Sequence, residues 1–349
     1  MKITAVDLWT VVVPTIPGRV HSPEWVAETE WDQVPKQIIR VETDGGIYGI
    51  GESYRGVTQA EARQGAALLL GRQVESIILQ DIYATQSDGS ETLREVGQGP
   101  AYDAFEIALF DLLGRVRGQP VHALLGGAVR SQVRADYWMG HQTIADSQRT
   151  VERALAQGFQ GIKIKCKLEE PMYARLKAIL EVAGTAFKVT VDPNERFYTA
   201  EQTITLAAEL ETLGNVEVFE DPIPKTDLEG YIRIHEAINL PLAMHLSDGP
   251  AILRGVQAGV LDCVNLNGSL VGFLRNATVA AAAGLRCWHG SGNDLGIIDT
   301  AYIHAAAAAP NCTMASDFVG SWKGRLHCRR DTLSKQKIVD ESIRLSSVG

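Results

Sequence analysis

Cysteine is scarce and shows no pairing pattern: the 349 residues hold five cysteines, widely spaced and without a Cys-x-x-Cys. An odd, dispersed set argues against a disulfide framework or a zinc ribbon and suits a reducing cytoplasm. Long apolar runs are missing too. Pieces such as Ala305 to Ala309 are too short to span a bilayer, so no membrane partner is expected. The stretch from Met1 to Pro14 could pass for a signal sequence, but Asp7 and Pro14 interrupt it and no small-residue cleavage site follows, so it reads as a strand. Positive charge is in deficit: 33 Lys and Arg against 42 Asp and Glu give a net charge of −9, with no basic run. That balance excludes nucleic acid as partner and means that a small anionic substrate needs a local positive site. Neither Gly49-Ile-Gly51 nor Gly290-Ser-Gly292 completes Gly-x-Gly-x-x-Gly, which removes the dinucleotide reading.

What remains is a chain with 45% hydrophobic residues, long enough for a barrel and an appended domain. Lys2 to Val13, Gln37 to Thr43 and Ile47 to Ser53 alternate as a small antiparallel sheet, with Asp44-Gly45-Gly46 as a hairpin turn. Between the first two lies an irregular stretch, Ile16 to Trp31, holding His21, Trp25 and Trp31; a long loop with aromatics of this kind serves binding. From Thr58 to Gly118 the period is helical, and Pro120 with Gly126-Gly127 marks a boundary, so a capping domain is placed at 1–125. Eight short strands then follow at barrel spacing, near 133–139, 161–166, 187–192, 216–221, 241–245, 262–267, 285–289 and 312–317, with helical stretches between most of them. The barrel is placed at 126–330, and alternation returns over 331–349.

The chemistry centres on Gly161-Ile-Lys-Ile-Lys165. Ile162 and Ile164 share one face of this strand, so Lys163 and Lys165 share the other, about 7 Å apart. Two ammonium groups pointing one way in a barrel interior call for nearby anions, and a lysine so placed can act as a base near neutral pH. Asp192 closes the next apolar strand, in Val-Thr-Val-Asp-Pro-Asn194, and Glu220 the one after, in Val-Phe-Glu-Asp-Pro222. Chemistry at the C-terminal ends of strands is the rule for parallel barrels.

Gly158-Phe159 ahead of Lys-Ile-Lys, then Val-Asp-Pro-Asn and Phe-Glu-Asp-Pro, resemble the second, third and fourth barrel strands of the enolase superfamily, in its mandelate racemase and muconate lactonizing enzyme branch. Ala104-Phe-Glu-Ile-Ala-Leu-Phe-Asp and Gly118-Gln-Pro-Val-His-Ala-Leu-Leu-Gly-Gly127 add an earlier match, so the resemblance spans nearly the whole chain. It implies an α/β fold, a modified (β/α)7β TIM barrel with an α+β N-terminal capping domain, and a C-terminal segment that rejoins the cap. The expected assembly is a homo-oligomer in the cytoplasm, acting on a small carboxylate substrate.

The resemblance also implies roles. Lys165 is the base, Lys163 binds or polarises the substrate carboxylate, and His289 is the second acid–base group. Asp192 and Glu220 are ligands for a divalent metal, magnesium in the first place, with Asn194 close by. The fifth strand ends in His245 where the family has a carboxylate. Either His245 ligates, favouring manganese or another softer ion, or Asp248 reaches in, or the metal site is degenerate. Asn267 stands where the family carries a lysine or aspartate, so His289 lacks its usual partner, and Asp294 or Asp317 could orient it. His21 and Arg55 belong to the segments that set substrate choice, Arg55 as a receiver for a distal carboxylate. The expected reaction is α-proton abstraction to an enediolate followed by dehydration of a sugar acid or hydroxy acid. Racemisation or epimerisation is the alternative, cycloisomerisation the third outcome, and a metal-poor binding protein the reading from another class.

Overall fold

The computed structural model describes residues 1–14, 20–28, 33–77, 79, 91–292, 294–317, 337–338 and 343–346. Trp31, part of the loop from Ile16, Val339 and the expected barrel end near 330 lie outside them.

Strands β1 (Ile3–Pro14), β2 (Gln33–Thr43) and β3 (Tyr48–Glu52) form an antiparallel sheet, with a turn over 44–46 between β2 and β3. Lys337–Ile338 and Ile343–Ser346 pair antiparallel with β1, so the end of the chain returns to this sheet. Its apolar face, with Ile3, Val6, Leu8, Ile39 and Val41, packs on the helix Tyr102–Arg117 through Ala104, Phe105, Ala108 and Leu112. These four recur at three- and four-residue steps, which puts them on one face of the helix. Gly51 permits the approach: a Cβ there would lie 1.8 Å from the Ala104 carbonyl oxygen. The helix Gln59–Leu69 begins with a reciprocal cap in which Thr58 and Glu61 each satisfy the other's backbone N–H.

The second sheet is parallel and in chain order: β4 (Tyr137–Met139), β5 (Gly161–Lys165), β6 (Lys188–Asp192), β7 (Val216–Glu220), β8 (Leu242–Leu246), β9 (Cys263–Leu266) and β10 (Arg286–His289). Parallel bridges Cys287↔Cys312 and Ala135↔Ser316 lay residues 312–316 between β10 and β4. The eighth strand expected at 312–317 is therefore reduced to two bridges that close the ring. Alternation along each strand separates two cores. Ile162, Ile164, Val189, Val191, Met244 and Val264 face the surrounding helices, while Val218, Ala243, Cys263, Trp288 and Met314 fill the inside. Each large apolar side chain so buried contributes about 1.5–3 kcal/mol.

Cap and barrel meet across buried charge. Lys36 of β2, fully buried, donates to Asp294 Oδ1 at 2.8 Å and lies 3.3 Å from Glu52 Oε1. Glu52 in turn accepts the N–H groups of Leu295, Ile297 and Ile298, capping the barrel helix Ile297–Ala308 from the other domain. Among the described residues no helix is long and apolar enough to cross a membrane.

Candidate active site

The inner face of the sheet carries the charge. Lys163 Nζ lies 2.7 Å from Glu220 Oε2, 3.1 Å from Asp192 Oδ2 and 3.3 Å from Asp317 Oδ2, all of them buried. Burial alone would lower the Lys163 pKa, but Asp317, Glu220 and Asp192 together raise it well above the ordinary lysine value. Lys163 is thus a fixed cation. Lys165, two positions nearer the mouth and partly exposed, pairs with Asp192. Burial would raise Asp192, yet the two lysines win and hold it below the usual carboxylate range. Glu220 is pushed up, to about 8, by burial and by Asp192 beside it. Asn265 Nδ2 donates to Glu220 Oε1 at 2.7 Å.

Glu220, Asp221 and His245 each offer a ligand atom within 4.8 Å of the others, the one such group among the described residues. Burial first, then Lys163 and Lys165, lower His245 to about 3, so its imidazole is neutral, and its Nε2 is buried with no hydrogen-bond partner. A neutral imidazole with its Nδ1 3.9 Å from Glu220 Oε1 fits a divalent cation with mixed oxygen and nitrogen ligands. The raised Glu220 agrees: with only two lysines among Asp192, Glu220 and Asp317, it holds its proton up to about 8, and added positive charge would let it ionise. This candidate group differs in one member from the expected ligands Asp192, Glu220 and His245. Asp192 is engaged by both lysines, whereas Asp221 sits with Glu220 and His245, accepting the His245 N–H at 2.9 Å and pairing with Lys225 at 2.8 Å. Asp248 does not reach in; its side chain caps the helix Gly249–Ala258 by accepting from Ala251 N–H.

His289 is the clearest correction. Trp288 takes the inward position on β10, so His289 faces outward, stacked 3.5 Å from the Tyr302 ring centroid and 4.6 Å from that of Phe273. Its Nδ1 lies 2.5 Å from the Gly290 carbonyl oxygen, and burial lowers its pKa to about 4. Its ring packs between sheet and helices, on the side of the wall away from the lysines. Asp294 and Asp317 are likewise bound elsewhere, to Lys36 and Lys163.

Other expected residues scatter. Asn267 continues the inward positions of Cys263 and Asn265, and its Oδ1 is buried without a partner. Asn194 is exposed, its backbone N–H donating to Asp192 Oδ1 at 3.0 Å. Arg55 is exposed on the turn after β3. His21 is brought to the mouth: it accepts the His141 N–H at 2.9 Å, stacks on the His141 ring, and is lowered to about 3 by burial and then by His141, Arg175 and Arg196. Gly140 makes room for it, since a Cβ there would lie 2.5 Å from the His21 ring. Asn194, Glu195, Tyr198 and Asp221 adopt φ of 50°, 69°, 64° and 46°, so left-handed backbone gathers where β6 and β7 end.

Sequence reasoning missed Arg175, which is fully buried and donates to Ser147 Oγ, Glu170 Oε2 and the carbonyls of Lys165 and Gly140. The signal was there: Arg175 falls on the apolar helical stripe Met172, Leu176, Ile179.

Comparison with known proteins finds relatives over most of the chain. A family model described as Enolase C-terminal domain-like matches residues 146–347, and one described as Mandelate racemase / muconate lactonizing enzyme, N-terminal domain, matches residues 9–126. A Streptomyces coelicolor protein named "Probable glucarate dehydratase" is 30% identical over 93% of this chain and 83% of its own. The N-succinyl-L-Arg/Lys racemase of Bacillus cereus is 24% identical over 88% of this chain and 84% of its own. The dipeptide epimerase of Enterococcus faecalis V583, solved in complex with Mg and the dipeptide L-Leu-L-Tyr, superposes with a TM-score of 0.75 at 25% identity, covering 91% of this chain and 90% of that one.

Proposed function

The chain belongs to the mandelate racemase/muconate lactonizing enzyme branch of the enolase superfamily, as a lyase or an isomerase, and on that premise we propose that it is a sugar-acid or hydroxy-acid dehydratase with Lys165 as its base. One observation carries the choice of dehydration. Across the barrel from the lysines, β9 and the end of β10 present Asn265, Asn267, Trp288 and Gly290 inward, so among the described residues there no acid–base side chain faces Lys165. Racemisation needs proton transfer on both faces of the α-carbon, whereas elimination can run from one.

In this reading Lys165 Nζ, as the free amine, takes the α-proton, and the C–H electron pair moves into the carboxylate to give an enediolate. Lys163 stays protonated and places its charge against the carboxylate as it gains electrons. The enediolate collapses with loss of the β-hydroxyl, which takes the proton from the Lys165 ammonium and leaves as water. Glu220, His245 and Asp221 would hold a divalent ion, magnesium or manganese, which would supply further positive charge at the carboxylate. Neutral Asn265 fixes the Glu220 carboxylate in place.

Racemisation or epimerisation is the second reading, motivated by the racemase and epimerase among the relatives. We further propose a cap ending near 125, a barrel ending near 330, a homo-oligomer and a cytoplasmic location. The last is supported by Cys166, Cys263, Cys287 and Cys312, all free and buried. A panel of sugar acids and amino-acid derivatives in D2O tests the central reading. Dehydration releases a 2-keto-3-deoxy acid, whereas α-deuterium incorporation with inversion and no keto product would assign the enzyme to the racemases.

A further inference from the structure

Beside the lysines lies a chain of charged groups that the reaction above does not use. Arg175 Nη1 donates to Glu170 Oε2 at 2.7 Å, and Glu170 Oε1 lies 2.6 Å from His141 Nδ1. His141 Nε2 is 3.0 Å from Arg196 Nη1. A guanidinium has only donors, so Nε2 accepts and Nδ1 carries the ring proton toward Glu170. Buried Arg175 and Glu170 cancel in charge, and the imidazole between them and Arg196 is neutral. Arg196 is exposed, yet it is held by a neutral acceptor and keeps its full charge.

Arg196 follows Asp192 by one short turn, and its carbonyl accepts the Leu168 N–H at 3.3 Å, tying its loop to the one that follows Lys165. In that second loop Lys167 Nζ lies 4.8 Å from the centroid of the Trp25 ring, which is 6.5 Å from that of His141. The indole Nε1 of Trp25 is buried with no hydrogen-bond partner. A buried donor left unsatisfied is unfavourable, and an acceptor on a ligand would satisfy it. The acidic neighbour, Glu169, accepts from Tyr198 Oη at 2.8 Å, and that bond, with Lys167 and Arg196 nearby, holds its carboxyl below the ordinary range.

We propose that Trp25, Lys167 and Arg196 form a subsite for a second carboxylate, so that the preferred substrate is a dicarboxylic acid bound by its reacting end at Lys163 and by its far end at Arg196. This rests on Lys165 acting at the α-carbon. His141, with Glu170 and Arg175 behind it, is a positioning residue for Arg196.

The test compares aldaric acids with aldonic acids of the same length and configuration, following α-deuterium exchange and, separately, thermal stabilisation of the protein by each acid. For wild type the diacids should show the lower KM, and Arg196→Gln should raise it about tenfold or more with kcat nearly unchanged and the monoacid KM unmoved. Trp25→Phe, which keeps an aromatic ring and removes the indole donor, should raise the diacid KM by about threefold to tenfold. His141→Leu should reproduce the Arg196→Gln effect on KM with kcat retained. Arg196 is exposed, so its variant keeps the fold. Thermal stabilisation by diacids that Arg196→Gln abolishes supports the subsite even without exchange, in which case the Lys165 reading alone falls. Equal responses to mono- and diacids, or a diacid response that survives Arg196→Gln, would overturn the subsite. A terminally phosphorylated aldonic acid that outcompetes the diacid would overturn the choice of carboxylate.

Discussion

Trp288 and His289 are adjacent on β10 and occupy opposite sides of the barrel wall, the indole inside against Val218 and Met314, the imidazole outside against Tyr302 and Phe273. His289→Asn should therefore act on stability and not on chemistry. Loss of the stacked, buried ring should cost about 2 kcal/mol, read as a lower denaturant midpoint, while α-deuterium exchange stays within about threefold of wild type. Exchange falling a hundredfold with the fold intact would return His289 to the active site.

The two lysines should separate cleanly. Lys165→Ala is expected to abolish exchange and turnover while leaving stability close to wild type. Lys163→Ala strands Asp192, Glu220 and Asp317 without their shared cation, and breaking a buried pair of this kind costs about 3–5 kcal/mol. Thermal melts and exchange rates on both variants check this. A Lys163→Ala protein as stable as wild type would show that the three carboxylates do not depend on it.

Metal binding offers a third check. The purified protein should take up about one divalent ion per chain, measured by elemental analysis. His245→Ala should lower that content, and His245→Asp should raise magnesium affinity by replacing nitrogen with a hard oxygen ligand. Turnover that persists undiminished after chelation would remove the ion from the reaction.

Asp136 gives a pH prediction. Burial, then Glu217 and Asp317, raise its pKa to about 8. A carboxyl raised in the fold contributes stability that is fully present below its unfolded value near 4 and is lost as pH rises toward 8, by up to about 1.4 kcal/mol per unit. Asp136→Asn should remove this slope. Urea midpoints at pH 5 and 7.5 should draw apart between wild type and variant, with the variant gaining at the higher pH; parallel curves would contradict the raised value.

Much of this architecture can be read from side-chain alternation. Ile162 and Ile164 against Lys163 and Lys165 place both lysines inward, and the same period places Asp192 and Glu220. The rule fails where a strand is too short to show its own phase. Arg286 to His289 offers four residues, and only packing reveals that the barrel interior takes the large indole. Asp248 was legible as a cap, since Ser247-Asp248-Gly249-Pro250 pairs a capping acid with a proline in the first helical turn. Arg196 was not, because its importance depends on a neutral histidine distant in sequence.

The Lys36, Glu52 and Asp294 contact has a consequence for anyone who would recombine these domains. The specificity loops and the catalytic strands invite modular exchange, a cap from one relative on the barrel of another. Here the cap carries the only cation placed against Asp294 among the described ion pairs, together with the carboxylate that closes the helix Ile297–Ala308. A graft that replaces residue 36 or 52 with an apolar side chain leaves a charge or a helix end stranded in the seam. Cap and barrel in this protein are matched to each other at these residues, and a successful chimera must transplant both halves of that seam.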